Sequence, residues 1–204
     1  MGLRLTTQPS VEPVSLSEAR ENLSLASGDH DVLLRSLIVA ARRRAEAYTQ
    51  RAFISQGWRL TLDEFPVEFS LPRPPLISVS SIKYIDTDGA TQTLASSVYR
   101  VTSNTDPARV TQEYQQTWPT PRHVTECVEV NYTAGYGTDP ADVPGEAKHA
   151  ILLMVAEWFD HPAAAEDGST VRAIPHGAEW CLNGLRTGAV SAWQGLPDSE
   201  HVSR

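Results

Sequence analysis

The stretch from Asp29 to Arg51 constrains this chain more than any other. Leu33, Leu37, Ala41 and Tyr48 recur there at helical spacing, flanked by Leu34, Ile38 and Ala45. They make an apolar stripe broad enough to meet more than one neighbour. Asp29 is a suitable N-cap, since its carboxylate can accept from the unpaired amides of a first turn. Ala40, Ala41, Ala45 and Ala47 favour the helix and let another element come close. At 1.5 Å per residue such a helix spans about 35 Å, the width of a small domain. It is predicted to be the spine of the fold. Arg42, Arg43 and Arg44 point in three successive directions around it, so at least one should face solvent or a partner.

Shorter elements flank it. Ser15 and Glu18 have the spacing of a capping box, predicting a short helix over about 15–25 that Ser27-Gly28 closes. The first dozen residues, with Pro9 and Pro13, read as an extended arm. After Arg51 the period changes to two. Trp58, Leu60 and Leu62 alternate with Arg59, Thr61 and Asp63, and further strands are predicted around Phe69–Leu71, Val79–Asp86, Thr91–Leu94 and Val98–Val101. Asp88-Gly89 marks a hairpin turn. Residues 102–125 read as a long loop with at most one short strand near Val110. Val128, Val130 and Tyr132 form the last alternating strand, ended by Gly135-Tyr136-Gly137.

Pro144 then opens a helix over 145–160. Ala150 to Phe159 holds one polar residue, Glu157, and must be buried within the subunit or between subunits. A weaker helix is expected over 177–186. Together these predict one α+β domain over 1–187, in which N- and C-terminal helices form a small bundle and an antiparallel sheet and hairpin region is inserted between them. Residues 188–204 are expected to be a loose tail.

Charge narrows the function. Residues 1–125 carry 13 basic and 13 acidic side chains, whereas residues 126–204 carry 4 and 12, which accounts for the net charge of −8. Gripping nucleic acid through its phosphates needs the opposite sign. No apolar run reaches the ~20 residues of a membrane span, and no secretory signal opens the chain. Cys127 and Cys181 stand in no metal or redox spacing and read as reduced thiols.

Catalytic motifs are missing: no phosphate-cradling G-x-x-x-x-G-K, G-x-G-x-x-G, H-E-x-x-H or G-x-S-x-G occurs. His149, Glu157, Asp160 and His161 form the one cluster worth weighing, because their spacing permits a common helix face. A metal-dependent hydrolase using His149, Glu157 and His161 is thus the rival reading, although helix-end charges facing water explain the cluster more simply. Asp86-Thr87-Asp88-Gly89 resembles the start of a calcium loop but has Ser97 where the closing glutamate belongs, and a hairpin turn explains it better. The arginine run reads as either an anion-binding patch or a solvated helix face that pairs with Glu46 or with acids of an interface. Trp180 and Trp193 are large aromatics in a sparse end segment, where such side chains cover a core or anchor a partner.

Four stretches, taken in order, carry a resemblance: Ala45-Glu46-Ala47-Tyr48-Thr49 with Arg51-Ala52-Phe53; Leu71-Pro72-Arg73-Pro74-Pro75-Leu76 with Val79 and Ile82; Asp86-Thr87-Asp88-Gly89 with Tyr99-Arg100-Val101; and Thr133-Ala134-Gly135-Tyr136-Gly137 with Val143-Pro144 and 148–158. The set resembles the head–tail connector (adaptor) proteins of long-tailed bacteriophages and of related prophage particles, including gene transfer agents. The resemblance runs from about Val14 to Phe159. It implies a structural role without cofactor or enzymatic activity, in a dodecameric ring of identical copies under the portal of a virion. That ring would extend the DNA channel, let DNA pass without sequence-specific binding, and meet a stopper or tail component on its far side. The positions expected to touch partners are Arg42, Arg43, Arg44, Trp180, Leu182, Leu185, Trp193 and Leu196.

Overall fold

The structure, a computed structural model, describes residues 1–26, 28–161 and 174–187. Its elements run in the order β1 (Gly2–Thr7), α1 (Leu16–Asn22), α2 (Asp31–Thr49), β2 (Gln56–Leu62), β3 (Glu68–Leu71), β4 (Leu76–Ile85), β5 (Thr91–Thr93), β6 (Tyr99–Thr102), β7 (Ala108–Gln112), β8 (Val128–Ala134), α3 (Gly145–Asp160) and α4 (His176–Asn183). The architecture is α+β, as expected.

The spine helix is two residues shorter at each end than its sequence pattern suggested. It starts behind His30, not at Asp29, and His30 makes no side-chain cap bond. The His30 ring instead meets Phe159 edge-on at 5.2 Å, which ties the start of α2 to the end of α3. Arg20 of α1 bonds the Asp31 carboxylate, so the acid of the first turn serves an inter-helix link. At the other end Gln50 adopts a left-handed conformation and returns its side-chain amide to the Ala47 carbonyl at 2.7 Å. The capping box of α1 forms as read. The Ser15 hydroxyl accepts from the Glu18 amide at 3.2 Å, and Glu18 accepts from the Ser15 amide at 2.7 Å.

One apolar cluster joins the helices. Leu34, Leu37, Ile38, Ala41 and Ala45 of α2 pack with Ala147, Ala150, Ile151, Met154 and Trp158 of α3, and with Ala178 and Leu182 of α4. The nearly all-apolar run Ala150–Phe159 of α3 is explained: α2 and α4 both pack on the helix, leaving Leu152, Leu153 and Phe159 half-buried.

The strands form two antiparallel sheets rather than one region. The larger has the order β1-β2-β8-β4-β5, and the smaller has β3-β7-β6. The N-terminal residues, expected as an arm, are a paired edge strand in which Leu3 sits opposite Leu60 and Leu5 opposite Trp58. Leu60, Val130 and Ile82 from the larger sheet share a second cluster with Phe69, Leu71 and Val110 from the smaller one. The Asp88-Gly89 hairpin is present, with Asp86 accepting the amides of Asp88 at 3.1 Å and Ala90 at 2.8 Å.

Backbone crossings join the two clusters. Residues 52–55 lie between two other segments, where the Ala52 amide donates to Pro74 at 3.2 Å, the Ser55 amide to Gly137 at 2.8 Å and the Tyr136 amide to Phe53 at 3.3 Å. Gly135 sits at this crossing with φ of +141°, and a Cβ there would lie 2.5 Å from the Ile54 carbonyl carbon. No other residue type fits.

Candidate functional site

The arginine run is divided by the helix that carries it. Successive residues of a helix point about 100° apart, so adjacent positions cannot share one face. Arg42 turns inward and is 2% exposed. Its Nε and Nη2 donate to Glu12 at 2.6 and 3.3 Å, and its Nη1 donates to Glu46 at 2.7 Å. The expectation that Arg42 forms part of an outward patch is therefore corrected for the isolated chain: both carboxylates claim its guanidinium. Arg43 is exposed, and Arg44 is half-buried with an Nε that has no partner among the described residues.

Glu46 is shared among three donors. Besides Arg42 it accepts from the Phe53 amide at 2.9 Å and from the Gln56 side chain at 2.5 Å. Burial raises its carboxyl above the ordinary range, and Arg42 with these donors offsets part of that rise. The pairing of the arginine run with Glu46 is legible from the one-turn spacing; the Glu12 half of the network is not, since Glu12 and Arg42 are 30 residues apart.

Beside this network lies a cleft of about 350 Å³, between the C-terminal half of α2 and the strands β1 and β2. Arg43, Arg73, Gln56 and Trp58 line it together with Leu5 and Gln8. The Arg73 guanidinium lies over the Trp58 ring, 5.5 Å from its centroid, and its Nη1 donates to the Glu46 carbonyl at 2.8 Å.

A second surface is built by α4. Trp180 is 81% exposed, whereas Ala178 and Leu182 are fully buried against α2 and α3. Leu182 is thus a core residue of the isolated chain, and its assignment to a partner surface is corrected accordingly. Leu185 packs at the edge of the helical cluster, and its carbonyl accepts from Arg51 Nε at 2.5 Å. The Tyr48 hydroxyl reaches Glu179 at 2.9 Å and Asn183 at 2.7 Å, so α2 holds α4 in place. Trp193 and Leu196 lie outside the described residues.

The histidine cluster does not converge. His161 Nδ1 stands 3.5 Å from Glu157, on exposed side chains at the end of α3. Among the described residues no three His, Cys, Asp or Glu side chains are placed to share a metal ion.

The class defined by this geometry is an α+β fold in which a helical layer is joined to two antiparallel sheets by interleaved backbone. Solved structures share it. The chain aligns with a chain in the neck of an empty gene transfer agent (GTA) particle, computed with C6 symmetry, at a TM-score of 0.76 and 24% identity. It aligns likewise with a chain in the virion of a native GTA particle at 0.74, and in the neck of a native GTA particle, computed with C12 symmetry, at 0.73. Each alignment covers 92% of this chain and 96% of the other. No protein-family model and no curated protein matches the chain.

Proposed function

We propose that this chain is a structural adaptor of a particle neck, repeated as a ring under the portal and joining a DNA-filled head to the next neck or tail component. The carrying observation is the shared fold, which spans nearly the whole of this chain and of the chains from GTA necks. The C6 and C12 symmetries of those neck structures support a ring of copies, twelve in our reading. The net charge of −8 suits a channel wall past which DNA slides, because like charge keeps the polymer from adhering. Arg43, Arg44, Trp180 and the segment after Leu185 are the partner-facing positions, and residues from about Gly177 onward grip the portal. Trp180 supports this role, since an aromatic of that exposure contributes little to its own subunit.

Imaging the assembled particle tests the reading. Density for this chain directly beneath the portal is expected, and density at the tail-proximal end of the neck would assign it to a stopper or terminator ring instead. Deleting residues 188–204 should leave the subunit folded and abolish joining of heads to tails. Normally joined particles after that deletion would refute the portal grip.

A further inference from the structure

The cleft beside Glu46 holds more donors than the chain itself uses. Trp58 Nε1 and Arg73 Nε are both shielded from water, and neither has an acceptor among the described residues. Arg43 stands exposed at the cleft rim, and neither it nor Arg73 pairs with a carboxylate among the described residues. The one carboxylate in the lining, Glu46, is spent on Arg42, Phe53 and Gln56. Buried donors without acceptors are costly, and two of them lining one cleft call for an acceptor from outside.

We infer that this cleft is a binding site for a carboxylate side chain of a protein partner, held by Arg43 and Arg73 with Trp58 beneath. A planar carboxylate matches the two-pronged guanidinium of Arg73, and apolar Leu5 and the Trp58 ring line the cleft beside it. Arg73 spends Nη1 on the Glu46 carbonyl and stacks on Trp58, and occupation of the site requires its guanidinium to move far enough to present Nε and the Trp58 N–H. Cleft size selects the source. About 350 Å³ admits one acidic side chain and its neighbours. A duplex is gripped through many phosphates at once, and the cleft has only two cations not already paired with a carboxylate.

The isolated chain suffices for the test, so its failure is separate from a failure of the neck reading. The ¹⁵N-labelled protein is titrated with a terminally blocked, glutamate-rich peptide while the Trp58 indole and Gln56 side-chain amide resonances are followed. Both should shift and saturate. Arg43→Glu should weaken binding about tenfold, whereas Arg100→Glu, an equal charge change at the exposed position of β6, should leave it within a factor of about two. Trp58→Phe keeps an aromatic ring under Arg73 but removes the unpartnered N–H together with the pyrrole half of the indole; a thermal melt checks that it folds, and it should bind about threefold more weakly by the Gln56 signal. Absence of any shift would overturn the proposal. So would equal shifts from inorganic phosphate or a DNA duplex, or equal losses from the two charge reversals.

Discussion

Glu46 accepts the backbone amide of Phe53, seven residues further on, at 2.9 Å. One carboxylate thereby fastens the end of the spine helix to the segment that enters the sheet, while the same group neutralises Arg42 inside the fold. Replacing Glu46 by Gln keeps an acceptor for one side and turns an amide donor toward Arg42 on the other. Glu46→Gln should cost about 3 kcal/mol, read as a lowered urea midpoint at unchanged slope. A loss below about 1 kcal/mol would show that the pair contributes little.

Gly135 leads to a sharper expectation. Gly135→Ala places a methyl 2.5 Å from the Ile54 carbonyl carbon in a backbone region that side chains avoid. The variant should lose about 3 kcal/mol or more, or accumulate unfolded, as circular dichroism and denaturant titration would show.

Trp180 should behave in the opposite way. With 81% of its surface exposed, Trp180→Ala should change stability by no more than about 0.5 kcal/mol. Under the proposed function the same variant should sharply reduce the yield of joined particles in a complementation assay. A stable variant that joins particles normally would remove Trp180 from the partner surface.

Stability should fall at both ends of the pH scale. Burial opposes ionisation of Glu18, yet hydrogen bonds from Lys148 and Ser15 prevail and hold its carboxyl below the ordinary range. Gln92 and the Ala90 amide do the same for Asp86. Depressed acids stabilise the fold above their unfolded values near pH 4 and lose that contribution as pH falls further. Glu46, lifted by burial, works in the other direction and offsets part of the loss. Burial also raises the hydroxyl of Tyr132, which donates to the Pro72 carbonyl at 2.8 Å. Its contribution is complete below pH ~10 and disappears above it, as the unfolded chain ionises first. Thermal midpoints taken from pH 3 to 11 should form a plateau with two falling edges, and Tyr132→Phe should flatten the alkaline one.

Local patterns made much of the fold legible. The α2 stripe, the Ser15–Glu18 box, the Asp88-Gly89 hairpin and the alternation of β8 are short-range signals, and each formed where its residues indicated. Long-range pairings were not legible. β1 carries the alternation of Leu3 and Leu5, but only its partner β2, more than fifty residues away, makes it a strand. The separate sheet β3-β7-β6 likewise depends on which strands meet rather than on their composition. For the site, the arginine run was visible, but its division was not, because Glu12 lies in a stretch without periodicity. The cleft with Trp58 and Arg73 draws on four separate segments, and only the fold brings them together.

The interleaving of residues 52–55 between 74–75 and 135–137 makes the join between layers a matter of main chain. Side chains can be exchanged around it, and partner surfaces can diverge freely, while helices and sheets keep their mutual orientation. A subunit built this way would pass a pull on its strands into its helices with little give, which under the proposed function suits a part repeated around a load-bearing collar.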